Sequence, residues 1–166
     1  MQLLVGSGLF STRTVTSTTT VTIVSTVPDA YAQIASIHAN YLALLNSSDT
    51  AALKSEYESN ATVVWKGEAP GLVGNYTGLL NIGILLGSFR DPFLNFSVSN
   101  ETQIITPKGN LWIVNSTFDI HGYGSVVGNT DIAIAAEDSY VHVGNTWLIA
   151  NETWNFLTFN MQFPVR

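Results

Sequence analysis

An α+β fold, with helices at the front of the chain and a large curved antiparallel sheet behind them, follows from two features of the sequence. Between Tyr31 and Phe89 apolar residues recur mainly at helical spacing, interrupted by one short β-branched run, and from Phe93 onward the apolar period changes to two. The resulting order is helix, short helix, strand, helix and then four long strands joined by tight turns. A sheet of that length must cover its apolar face with the helices that precede it.

The first helix is predicted from Pro28-Asp29, with Tyr31, Ile34, Ile37, His38, Tyr41, Leu42, Leu44 and Leu45 at helical spacing up to Asn46. Asp49 is placed to cap a short second helix, Thr50 to Tyr57, with Leu53 and Tyr57 inward. Asn60 to Trp65 reads as a strand ending at a Lys66 to Gly71 turn, and Asn75-Tyr76-Thr77 opens a third helix running from Gly78 to Phe89. Four strands follow: Asn95 to Thr106, Leu111 to His121, Asp131 to Val143 and Thr146 to Met161. Pro107 to Asn110 and Gly144-Asn145 form turns, and a glycine-rich corner lies at Gly122 to Asn129.

Residues 1–27 are expected to stand apart from a domain spanning 28–166. The run Met1 to Phe10 is too short for a membrane span and has no basic residue before it, so it reads as the tail of a longer targeting segment or as a first strand. Ser11 to Val27 is almost entirely Thr, Ser and Val, whose stiff side chains favour an extended stalk or a strand lent to another subunit. Membrane attachment is expected only through such an upstream or N-terminal anchor.

Hydrophobic residues make up 46% of the 166 and charged residues 11%, against about 25% charged in an average soluble domain. Something other than charge must therefore cover the surface. Seven N-x-Ser/Thr sites, at Asn46, Asn60, Asn75, Asn95, Asn100, Asn115 and Asn151, point to glycans and to an extracellular or cell-surface location, with the cytoplasm as the alternative. The Thr-rich, charge-poor composition is similar to that of archaeal surface proteins. A net charge of −6 and scattered single Lys and Arg residues exclude a phosphate-binding stripe, so no nucleic-acid partner is expected. There is no cysteine, and the three histidines have no close ligand spacing, so neither a metal nor a cofactor is expected. The spaced glycines of Gly122 to Gly128 lead into a strand, not into a helix N-terminus that would hold phosphate.

The run from Tyr41 to Asp49, followed by Leu53, Tyr57, the strand Ala61 to Trp65 and the Gly67 turn, resembles the NTF2-like superfamily. Gly144 to Trp154 is similar to that family's final hairpin, where a tryptophan after the turn starts the last strand. The resemblance spans residues 29–163 and implies a cone in which a curved sheet closes on the helices around a pocket. SnoaL-like cyclases, ketosteroid isomerases and dehydratases share this fold with proteins that only bind or dimerise, so the fold assigns no reaction by itself.

Set against the ketosteroid isomerase branch, the resemblance puts its donor tyrosine at Tyr41 and its protonated aspartate at Asp138. Its base aspartate falls at Trp65, which cannot abstract a proton, so that mechanism needs another carboxylate. Asp119 and His121 share a strand face, which Tyr123 would join, and a His-carboxylate pair can act as acid and base. The catalytic candidates are therefore His121, Asp119, Asp138 and Tyr41. Trp65, Tyr57, Phe89, Phe118, His38 and Trp154 are the pocket candidates, suited to a small apolar ligand, and His142 is expected at the surface. In relatives the outer sheet face pairs subunits, which makes a homodimer or higher homo-oligomer the expected protein partner. The leading expectation is a surface domain for ligand binding or assembly, and a SnoaL-like acid-base enzyme is the alternative.

Overall fold

The computed structural model describes residues 19–47, 49–69 and 71–163, with side chains from Asp29 onward; the expectations for residues 1–18 lie outside the described residues. The chain divides into a unit ending at Ser36 and a unit from Ile37 to Arg166. Helix α1 (Thr19–Asn46) begins in the first and ends in the second. It starts nine residues before Pro28, so the helix is longer at its N-terminus than the one read from the sequence. β-branched residues lose only a few tenths of a kcal/mol each in a helix, and extending a helix already nucleated is far easier than starting one. Among the described residues no helix is long and apolar enough to cross a membrane.

In the second unit α1 turns His38, Tyr41, Leu42 and Leu45 inward, at the i, i+3, i+4, i+7 spacing of one helix face. Asp49 caps α2 (Thr50–Lys54), its carboxylate accepting from the Ala52 N–H at 2.8 Å, as the sequence predicts. The helix stops at Lys54, and Tyr57 instead begins strand β1 (Tyr57–Gly67). Residues 74–77, just ahead of the third helix, form a short edge strand that was not expected, β2 (Gly74–Thr77), paired with Thr62 to Trp65. Helix α3 (Leu79–Arg90) follows and buries Ile82, Leu85, Leu86 and Phe89.

Strands β3 (Asn95–Lys108), β4 (Leu111–Gly124), β5 (Gly128–Val143) and β6 (Thr146–Gln162) are the four long strands expected. Gly109 and Gly144 make two of the turns at φ 67° and 62°, a region open to glycine at little cost. The sheet order is β2-β1-β6-β5-β4-β3. One feature departs from the antiparallel expectation: β1 runs parallel to β6, so the sheet is mixed. The helical crossover between β1 and the hairpins makes that parallel pairing available.

Strand alternation sorts the side chains onto two faces. Trp65, Trp154, Phe156, Phe118, Ile120, Ile132 and Ile134 face inward and are buried. The Trp65 and Trp154 rings stack at 4.8 Å, and Phe89 of α3 meets both edge-on. The outer face carries Asn115, Glu137 and Thr153 in one row and Asp119 with Ala133 in another.

Candidate functional site

A polar cluster sits inside this aromatic core. Glu152 on β6 and Asp138 on β5 are cross-strand partners, and both are fully buried. Tyr41 of α1 donates to Glu152 Oε2, Tyr57 of β1 donates to the same oxygen at 2.6 Å, and the two hydroxyls lie 3.0 Å apart. The Trp65 indole N–H approaches Glu152 Oε1 at 3.5 Å. His38 adjoins from α1, its Nδ1 3.2 Å from the Tyr140 hydroxyl and 3.4 Å from Asp138 Oδ2. The spacing of three on α1 and of two on β5 brings His38 with Tyr41, and Asp138 with Tyr140, to the same place.

Burial raises the Glu152 pKa to about 7, against the opposing effect of hydrogen bonds from Tyr41, Tyr57 and Trp65. Asp138 is pushed well above the usual carboxylate range by burial and by the neighbouring charges of Glu152 and Glu137. Neither of its oxygens makes a hydrogen bond. Two adjacent buried carboxyls cannot readily both be ionised, so at neutral pH the pair holds a proton. His38 is lowered to about 4 by burial and is neutral. Tyr41, Tyr57 and Tyr140 are all raised, chiefly by burial, and stay protonated. The cluster therefore combines a base of near-neutral pKa with several neutral donors, the equipment of proton transfer.

Of the catalytic candidates read from the sequence, Tyr41 and Asp138 meet in this cluster and His121 and Asp119 do not. The latter do share a face, but it is the outer one. His121 Nδ1 pairs there with Asp131 at 2.7 Å, and Asp119 accepts from Asn100 at 2.7 Å. Among the pocket candidates His38, Tyr57 and Trp65 border the cluster, while Phe89, Phe118 and Trp154 pack beside it. These side chains fill the space rather than line an open pocket. The cleft between α1, α2 and α3, bordered by Leu45, Leu53, Leu86 and Phe89, has a volume of about 10 Å³. His142 is exposed as expected, its ring 4.8 Å from Trp147. No group of three or more His, Asp or Glu side chains among the described residues is placed to hold a metal ion.

Glu152 and Tyr140 are absent from the candidates read from the sequence. Both could have been found by parity, since Glu152 alternates with inward Trp154 and Tyr140 with Asp138. Glu152 was hidden inside the Asn151-Glu152-Thr153 triplet, which reads as a surface site.

No family model and no curated protein matches the chain in sequence. Solved structures of similar fold do exist. A scytalone dehydratase candidate from Novosphingobium aromaticivorans superposes with a TM-score of 0.71 at 15% identity, over 86% of this chain and 93% of that one. The hexachlorocyclohexane dehydrochlorinase LinA-type3 of Novosphingobium barchaimii gives 0.65 at 17% identity, over 83% and 93%. A ketosteroid isomerase-like protein from Erwinia carotovora atroseptica gives 0.61 at 15%, over 76% and 95%. The chain has the fold of the NTF2-like superfamily, as the resemblance in its sequence implies. At these identities the likeness extends to the fold alone.

Proposed function

We propose that this domain catalyses proton transfer, an elimination or isomerisation of a small, largely apolar molecule, with Glu152 as base. The observation that carries this reading is the buried Glu152 carboxyl, poised near neutral pKa with Tyr41, Tyr57 and Trp65 as donors and Asp138 alongside. In its ionised form Glu152 takes a proton from carbon. The Tyr41 and Tyr57 hydroxyls, freed from it, then donate to the developing oxyanion or leaving group. Dehydration and dehydrochlorination, the reactions named for two proteins of similar fold, are eliminations of this kind. The filled interior means that substrate must displace side chains around the cluster to reach Glu152.

The test is incubation of the full chain with hexachlorocyclohexane, scytalone and a β,γ-unsaturated 3-ketosteroid in D₂O, with product and deuterium incorporation followed by mass spectrometry. Turnover or exchange of at least one is expected, reduced about 100-fold or more in Glu152→Gln. Activity that the variant retains, or no reaction with any of the three, would overturn the proposal.

We further propose export and N-glycosylation, a reading with which the placement of the sequons is compatible. All seven sequon asparagines are exposed, and six of them lie in strands. There the two-residue spacing of Asn and Ser/Thr equals the strand period, so both can share the outer face while the middle residue, as at Ala61, Ser116 and Glu152, is buried. The chemical environment therefore suits N-linked modification. Glycans at Asn115 and Asn151 would crowd the outer sheet face, so any self-association would use another surface.

A further inference from the structure

Strand β3 contains an irregularity that changes where one carboxylate goes. Ser99 pairs with Asp119 and Thr102 with Thr117, so Asn100 and Glu101 together stand opposite the single residue Phe118. Uninterrupted alternation would put Glu101 on the outer face beside Ser99. The extra residue reverses the parity, and Glu101 Oε1 comes to lie 3.7 Å from His38 Nε2. Asn100 makes the reversal with φ 53°, the positive φ that Asn tolerates better than most residues, and its amide is tied outward to Asp119.

Glu101 keeps contact with solvent. Its side chain is 29% exposed and borders a surface groove of about 190 Å³ between Leu42, Ala43 and Asn46 of α1 and Val98 and Ser99 of β3. His38 behind it is fully buried, and its Nε2 makes no hydrogen bond. Nδ1, on the other side of the ring, faces Tyr140 and Asp138. Titratable groups thus run inward from the groove as Glu101, His38, Asp138 and Glu152. The other groups around His38 are Tyr41 from its own helix and Tyr140 from β5, with Glu56 and Glu137 acting on Tyr140 and Asp138.

We propose that Glu101 and His38 form the proton path between solvent and the buried Asp138–Glu152 pair, with Glu101 as its outer end. Inward transfer moves a proton from the Glu101 carboxyl to His38 Nε2 while Nδ1 releases its own proton to the Asp138 carboxylate. The imidazole is neutral before and after and has exchanged tautomers; outward transfer reverses both steps. An acid-base turnover that takes one proton in and sends one out returns the ring to its starting form. The 3.7 and 3.4 Å separations need only shorten by roughly half to one ångström to become hydrogen bonds.

The purpose of the path rests on the acid-base reading above, but its existence is tested without turnover. Infrared spectroscopy of the full chain resolves the C=O stretch of protonated buried carboxyls, which Asp138→Asn and Glu152→Gln assign. Rapid transfer to D₂O then gives the rate at which that band shifts. Glu101→Gln and His38→Gln are each expected to slow the shift about tenfold or more, with Glu68→Gln, at an exposed position away from the cluster, at the wild-type rate. Glu101→Gln lies at the surface and keeps its size, so its result decides the matter when His38→Gln fails to fold. A wild-type rate in Glu101→Gln, or a rate that follows amide exchange of β5 and β6, overturns the path and assigns proton entry to opening of the sheet. Failure of every probe substrate would count against the catalytic reading and leave this result standing.

Discussion

Replacing Glu152 and His38 separately by Gln should give stability differences from wild type that drift with pH in opposite directions. Folded Glu152 holds its proton up to about pH 7, whereas the ordinary value is 4.5, so the folded state binds more protons across that window. Wild-type stability therefore falls as pH rises from 4.5 to 7, by about 3 kcal/mol at about 1.4 kcal/mol per pH unit. Glu152→Gln lacks this loss, so its stability relative to wild type should rise by about 3 kcal/mol over the same range. Folded His38 instead gives up its proton down to about pH 4 from an ordinary 6.5, so its contribution falls as pH drops through that window. His38→Gln should accordingly lose about 3 kcal/mol relative to wild type between pH 4 and 6.5. In Glu152→Gln the Asp138 carboxyl also loses the neighbouring Glu152 charge that helps to raise it, which acts in the same direction and adds to the rise.

Urea unfolding at half-unit pH steps measures both effects, with buried Trp65 and Trp154 as fluorescence reporters. Burial and the three donors act on Glu152 with opposite sign, so the direction of its drift decides which dominates. A Glu152→Gln difference that falls with pH would mean that the tyrosines keep the carboxylate ionised in the folded state. Two differences flat in pH would refute the reasoning for both residues.

Two further expectations follow from the outer face. His121→Ala removes an exposed pair with Asp131 and should change stability by less than about 1 kcal/mol and any turnover by less than about twofold, checked by urea unfolding and initial rates. In a host with N-glycosylation, peptide mass spectrometry should find glycan on the strand sequons, and Thr153→Ala should abolish it at Asn151 alone. Absence of glycan at every site would leave the polar alternation of the outer face as the whole explanation of the triplets.

The parts of the fold legible from sequence were those governed by local periodicity. The four long strands and α3 emerge close to their observed ends, because alternation and turn residues act within a few positions. The parallel β1–β6 pair and the short β2 were not legible, since they join segments far apart in the chain. At the site, Tyr41 and Asp138 could be placed through the resemblance, and Glu152 through parity with Trp154. Glu101 could not, because a single-residue bulge reverses alternation without a composition signal. Alternation correctly paired His121 with Asp119 on one face, yet it cannot say which face the helices cover when both are mixed in polarity.

The Trp65 position bears on the choice between a structural and a catalytic cluster. Where the resemblance calls for a base aspartate, the chain has an indole, and the carboxylate of Glu152 on the neighbouring parallel strand approaches that indole N–H. The Trp65 indole on β1 thus faces a carboxylate supplied by β6. A structural role would account for Glu152, whose oxygens meet three donors, more readily than for Asp138, whose oxygens make no hydrogen bond to another protein group and have His38 Nδ1 at 3.4 Å. Val114, Ala136 and Ile134 on the same inner face indicate that apolar side chains pack there. Replacing an unsatisfied buried acid by one of them would be expected to stabilise the fold. An acid kept protonated beside a base of near-neutral pKa is destabilising for folding and useful for proton transfer, and such a trade is characteristic of functional sites.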